Sequence, residues 1–301
     1  MPNGIAVVVI TWSEEDVILR TLQHVEQAVN YYLEREADRA EVVVVNDGSP
    51  DRSREIIDWF ISGKPGWLAV HHPTAQHRCS ARNQGAWRTT GEILFFIDGD
   101  DLVYPWHFWV AYKLFQASEQ PLAGNLSVQT DSGTTDIEFT GFSEPLGVIR
   151  TGVDLDDQID PGWYRALTNT IPLNMAVRRC CHQFIEGWPA YLAFHIGYED
   201  CAYSYWCGKL FKIAAVEFKT VRYMRYPGTT LDQQILSGKF LTPQDQWVEP
   251  SPPKDKLPYL ELIRDVELSH MAYLRKELRL FGPPVTPTGR PVALANQATR
   301  L

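Results

Sequence analysis

The strongest constraint on the fold is a set of short, largely apolar runs that alternate with helical patterns and end in polar clusters. The runs are Ile5 to Thr11, Glu41 to Val45, Leu68 to His71 and Ile93 to Ile97. An apolar run of this length reads as a strand buried on both faces. Between them, Val17 to Glu36, Ser53 to Phe60 and Ser80 to Thr89 carry helical spacing. Ser13 is the expected N-cap of the first helix, with Glu14, Glu15 and Asp16 in its first turn. Gly91 is the expected cap at the end of the third. Strands alternating with helices predict an α/β fold, a mainly parallel sheet with helices on both faces. Ligands of such sheets bind beyond the carboxyl ends of the strands. The polar clusters fall there: Thr11 to Ser13, Asn46 to Ser49 and Asp98 to Asp101.

The second half is less regular. Leu122 to Pro161 is rich in Gly, Ser, Thr and Asp, and reads as edge strands and loops, with strand-like pieces at Leu126 to Thr130 and Ile137 to Phe142. Trp163 to Leu210 reads as helix and loop, and Phe211 to Arg225 as a late strand. Pro243, Pro250, Pro252, Pro253 and Pro258 mark a linker. Leu257 to Phe281 is an amphipathic helix, and the Pro-rich tail from Gly282 is expected to be loose. The expected division is a principal domain over 1–240, with halves 1–121 and 122–240, followed by a linker, helix and tail over 241–301.

Charge narrows the class. Lys and Arg number 28 against 37 Asp and Glu, a formal charge of −9. Nucleic-acid binding, which needs a basic stripe, is therefore not expected. No apolar run approaches the roughly 20 residues of a membrane span. The N-terminus lacks a signal pattern, and the 5 cysteines lack zinc spacing, so a cytoplasmic protein with reduced thiols is expected. The mixed charges of the last helix suit packing on the domain or a homodimer contact better than a membrane surface.

Asp98-Gly99-Asp100-Asp101 is the sharpest chemical signal. Carboxylates crowded at a strand end repel one another unless a cation lies among them, and Mg²⁺ or Mn²⁺ favours oxygen ligands shared with phosphate. A solvated acidic turn is the plainer alternative. Asp47, in Asn46-Asp47-Gly48-Ser49, is placed to accept a ring N–H such as a nucleobase imide; an Asx turn is its alternative. His71, His72 and His77 do not converge as a zinc site would, because neighbouring strand residues face opposite ways.

Taken in order, these motifs resemble family 2 glycosyltransferases of the GT-A fold. The matching residues are Val8 to Ser13, Val44 to Asp51, Ala81 to Gly85, Gly91-Glu92 and Phe96 to Asp101 with Pro105. Further on are Arg178-Arg179, Glu186 to Pro189 and Tyr198-Glu199-Asp200. The resemblance covers roughly residues 5–230. It implies a Rossmann-like sheet with a C-terminal helical extension. It also implies an inverting transfer from a nucleoside-diphosphate sugar, with a UDP-sugar favoured, to a saccharide or other hydroxyl acceptor.

By the same resemblance Thr11 and Asp47 contact the nucleotide. Asp98 and Asp100 form the DXD motif that holds Mn²⁺ or Mg²⁺, Asp98 also lying near the ribose. Arg82 helps position the diphosphate, Asp200 is the general base, and Glu199 binds acceptor or orients its loop. Arg225 falls where relatives carry a basic loop that closes on the diphosphate. Trp188 is the candidate stacking platform for the acceptor. Two rivals remain: a nucleotidyltransferase, which would show a Gly-rich loop where Thr11-Trp12-Ser13-Glu14 stands, and a catalytically silent nucleotide-sugar binder.

Overall fold

The computed structural model describes residues 3–36, 38–120, 123–139, 142, 144–155, 161–191, 197–224, 226, 257–295 and 299–300. The first half runs β1 (Ile5–Thr11), α1 (Ile18–Leu33), β2 (Ala40–Asn46), α2 (Ser53–Ile61), β3 (Trp67–His71), α3 (Arg78–Trp87) and β4 (Ile93–Asp98). A short β5 (Leu102–Val103) and α4 (His107–Ser118) follow, then β6 (Gly124–Thr130) and β7 (Gly133–Phe139) as a separate hairpin. The second half runs β8 (Val148–Asp154), α5 (Pro161–Thr170), β9 (Met175–Arg178), α6 (Arg179–Phe184), α7 (Glu199–Leu210) and β10 (Ile213–Arg222). It closes with α8 (Leu257–Phe281) and β11 (Thr299–Arg300).

Among the described residues the main sheet has 9 strands, in the order β3-β2-β1-β4-β9-β8-β10-β11, with β5 on β10. β9 runs antiparallel to β4 and β8, and β5 antiparallel to β10; the other pairings are parallel. Alternation along β1 builds two cores, since successive side chains point to opposite faces. Ile5, Val7 and Val9 pack with Leu22 and Val25 of α1, Phe60 of α2 and Phe108 of α4. Ala6, Val8 and Ile10 pack on the other face with Ala81 and Ala86 of α3, Tyr203 and Trp206 of α7, and Met271 and Leu274 of α8. Both faces of β1 are thus sealed, which is why its sequence is one uninterrupted apolar run.

Several expectations are corrected. Ser13 does not cap α1: it sits at φ 58, the helix begins at Ile18, and no side chain caps it. Gly91 lies beyond α3, whose C-cap is Arg88. β8 and β9 are inner strands of the sheet, in stretches read as edge strands, loop and helix. Their buried arginines disguised them. Arg150 donates to the Thr168 and Ile171 carbonyls, Asn174 Oδ1 and Ser204 Oγ. Arg178 pairs with Glu92 and with Glu119, the latter at 2.7 Å, and donates to the Leu146 carbonyl. The segment after α8 is not loose: Ala293 bonds to both Lys212 and Pro145 through the backbone, and Ala295 N–H to the Leu210 carbonyl. The final helix docks on its own domain, burying Ile263, His270, Met271 and Leu274. Among the described residues no helix is long and apolar enough to cross a membrane.

Candidate functional site

The parallel strands end in one row. Register pairs His71 with Asn46, Asn46 with Thr11, and Ile10 with Asp98. The ladder continues one step past the strands, with Asp47 N–H donating to the Thr11 carbonyl and His72 N–H to the Asn46 carbonyl, both at 2.9 Å. Asp47 and Asp98 stand on either side of β1, about 10 Å apart by strand spacing. That span suits a nucleoside diphosphate laid across the strand ends.

The acidic cluster lies at the β4 end of this row. Asp101 N–H donates to the Asp98 carbonyl at 3.1 Å, making a tight turn around Gly99. A Cβ at Gly99 would collide with the Glu14 carboxylate and lie 2.9 Å from Thr11 Cβ, so the loops after β1 and β4 meet here. Burial first, then repulsion from Asp98, pushes the Asp100 carboxyl up to about 6. Burial and repulsion from Asp100 push Glu14 up to about 8. Asp101 is buried and held well above the usual carboxylate range by burial, then by Asp100 and Asp98; it accepts Met224 N–H at 3.1 Å. Crowded hard-oxygen donors at elevated proton affinity have the chemistry of a divalent-cation site. Among the described residues no group of three or more His, Cys, Asp or Glu side chains forms a metal cage.

The opposite wall comes from α3 and α7. Arg82 is buried, with Nη2 2.7 Å from Asp98 Oδ1 and Nη1 3.7 Å from Glu199 Oε1. One guanidinium therefore joins the Asp98 turn to the start of α7. Glu199 is itself buried and also faces Arg78 at 3.5 Å. Next to it, Asp200 Oδ1 accepts Cys201 N–H at 2.7 Å within the first turn of the helix. Burial and then Glu199 raise the Asp200 carboxyl, while Arg82 restrains the rise. The Tyr223 hydroxyl is held neutral by burial and by the charges of Asp101, Asp100, Asp98 and Asp200, so these four carboxylates share one neighbourhood.

Thus Thr11, Asp47, Arg82, Asp98, Asp100, Glu199 and Asp200 come together. The buried side chain of Glu199 points at arginines within the protein, an orienting position. Trp188 does not reach the surface: it is 2 % exposed, stacked on Tyr203 at 3.9 Å, with Arg82 lying 4.5 Å from its ring centre. It is a floor for Arg82 and not an open stacking platform. Its backbone is clamped by Asn83, whose amide donates to the Trp188 carbonyl at 2.9 Å and accepts its N–H at 2.8 Å. Arg225 lies outside the described residues. His71 pairs with Asp58 at 2.9 Å, and His72 bonds to Asp47 at 2.6 Å. Sequence reasoning missed Glu14, His72 and Tyr223 as site residues. Among the described residues Ser13, His77 and Tyr198 hold positive φ immediately before Glu14, α3 and Glu199, and such backbone strain gathers where function constrains a chain.

Comparison with known proteins agrees with this geometry. Residues 6–133 match the family described as Glycosyl transferase family 2. The uncharacterized glycosyltransferase EpsJ of Bacillus subtilis is 34% identical over 129 residues, 43% of this chain and 33% of that protein. The uncharacterized glycosyltransferase alr2836 of Nostoc is 30% identical over 97 residues, 32% of this chain and 30% of that protein. The chain thus matches about a third of the length of these relatives. Staphylococcus aureus TarS, solved with UDP-GlcNAc, superposes with a TM-score of 0.57 at 14% identity, covering 92% of this chain and 73% of that one. The mannosyltransferase PcManGT of Pyrobaculum calidifontis, solved with GDP-Man and Mn²⁺, gives 0.53 at 16% identity, covering 94% and 78%. Residues 6–133 thus resemble glycosyl transferase family 2, and the chain shares the GT-A fold of these solved structures.

Proposed function

We propose that the protein is an inverting glycosyltransferase that moves a sugar from a nucleoside diphosphate to an acceptor hydroxyl. The observation that carries this reading is the Arg82 bridge between Asp98 and Glu199, which sets a candidate base, Asp200, across from the donor turn. Asp47 accepts the ring N–H of the base and Thr11 lines the nucleotide. Uracil is favoured, as in the UDP and UDP-GlcNAc complexes of TarS; guanine, as in the GDP-Man complex of PcManGT, offers a ring N–H too. Asp98 and Asp100 would hold Mn²⁺ or Mg²⁺, whose remaining positions substrate phosphate and water commonly fill. When bound, such a cation offsets the negative charge that grows on the departing diphosphate.

Asp200 takes the acceptor proton as the hydroxyl oxygen bonds to the anomeric carbon. The bond from that carbon to the diphosphate oxygen breaks, its electron pair leaving with the nucleotide, and one displacement inverts the configuration. Burial raises the proton affinity of Asp200, which suits a base, and Arg82 keeps its anion stable until the acceptor binds. Glu199 fixes the first turn of α7 by holding Arg78 and Arg82.

Calorimetric titration of UDP with and without Mn²⁺ tests the donor half. Wild type should bind in a metal-dependent way, and Asp100→Ala should lose that dependence along with turnover. A wild type that binds no nucleoside diphosphate, or an Asp100→Ala protein that binds as wild type does, overturns the reading.

A further inference from the structure

His72 is the first residue after β3, and strand register sets it beside Asp47. Both are sealed, at 7 % and 6 % exposed. The imidazole Nδ1 lies 2.6 Å from Asp47 Oδ1, and Gln76 N–H donates to the same oxygen at 2.8 Å. The far ring nitrogen, Nε2, meets Gln84 Oε1 at 2.5 Å and fixes the ring from behind; because an ionised carboxylate only accepts, Nδ1 carries the proton that Asp47 meets. The arrangement needs close backbone approach. Gly48 turns at φ 73, and a Cβ there would stand 2.5 Å from Ala75 N, so the loop after β3 lies directly on the Asp47 turn.

We propose that His72 is the positioning residue for nucleobase selection. This inference rests on the donor reading above and deepens it. Two donors converge on Oδ1, and among the described residues none reaches Oδ2. The carboxylate is therefore not free to rotate: Oδ1 is spent and Oδ2 is the acceptor left for a ligand. A fixed lone acceptor rewards a base whose ring edge carries an N–H, such as uracil at N3 or guanine at N1. It penalises a base that offers a ring lone pair there, such as cytosine or adenine, because two acceptors then face each other in a dry site. Without His72 the carboxylate can turn, and either edge meets a less demanding partner.

The test compares UDP and CDP binding in Mn²⁺ for wild type, His72→Phe and His72→Asn. Wild type should prefer UDP. His72→Phe keeps the ring but has no donor, and its UDP-over-CDP ratio should fall by about tenfold or more, the worth of a hydrogen bond to a charged group. His72→Asn, which returns an N–H near Nδ1, should recover much of the ratio. The donor KM should rise in His72→Phe while kcat at saturation holds within about twofold, since the ring stands at the base end and not at the reacting carbon. A residue that merely supports the fold would weaken both nucleotides equally. An unchanged ratio in a folded His72→Phe protein therefore overturns the proposal while leaving the donor reading intact. If His72→Phe does not fold, Gln84→Leu, which frees the ring, should lower the ratio more mildly, and an unchanged ratio there overturns the proposal. A wild type that binds neither nucleotide overturns both.

Discussion

Arg82→Met separates the structural work of the bridging guanidinium from its chemistry. The substitution keeps an unbranched side chain over Trp188 but removes the charge that faces Asp98 at 2.7 Å and Glu199 at 3.7 Å. The two carboxylates lose unequally. The Asp98 side chain is 31% exposed and water takes over much of its solvation, whereas that of Glu199 is 4% exposed and stays dry. Breaking a buried ion pair costs about 3–5 kcal/mol. Arg78 still faces Glu199, so the expected loss is at the lower end, about 3 kcal/mol. For a domain near this size each kcal/mol moves Tm by roughly 2–4 °C, so melting should fall by roughly 6–12 °C. Thermal unfolding by circular dichroism reads this directly. Adding Glu199→Gln to Arg82→Met removes the stranded charge and should restore a good part of the loss, although Glu199→Gln alone is destabilising. That non-additivity is the signature of a coupled pair. A single variant that melts within about 2 °C of wild type, or a double variant no more stable than the single, refutes the account.

Two further outcomes follow from the site. Asp200→Asn should bind UDP as wild type does yet lose kcat by roughly 10² or more; an equal loss of binding would move Asp200 out of the base role. The acidic cluster also sets a pH dependence. Asp100 and Glu14 hold protons up to about 6 and about 8 in the fold, while the unfolded chain releases them near 3.8 and 4.5. The folded state thus binds more protons in that window, so these groups make stability fall as pH rises from about 4 to about 8. A divalent cation bound among these carboxylates would relieve that repulsion, so on the proposed function Mn²⁺ with UDP should raise Tm more at about pH 8 than at about pH 5.5. Equal shifts at the two pH values, measured by differential scanning fluorimetry, would contradict this.

Much of the candidate site was legible because its residues sit at the ends of strands that advertise themselves. β1, β2 and β4 are sealed on both faces, and continuous apolar runs point straight at Thr11, Asp47 and Asp98. Glu14, His72 and Tyr223 gave no such signal. Glu14 reads as an acidic residue of a helical first turn, but the chain kinks at Ser13 and folds it against the loop after β4. His72 looked like one of several scattered histidines, and its meaning comes from a carboxylate 25 residues earlier. Trp188 erred in the other direction, because exposure cannot be read from residue type.

The amino-acid order alone determined the alternating architecture, the row of strand ends and the identity of the acidic turn, because each depends on local periodicity and on the cost of burying uncompensated charge. Only the tertiary structure decided where β8 and β9 run, since their burial rests on partners supplied from distant segments: Glu92 and Glu119 for Arg178, Asn174 and Ser204 for Arg150. It alone also decided that Arg82 ties the turn after β4 to the start of α7 and that His72 meets the Asp47 carboxylate. Long-range electrostatic and hydrogen-bond partners are chosen by folding in space, and spacing along the chain carries no record of them.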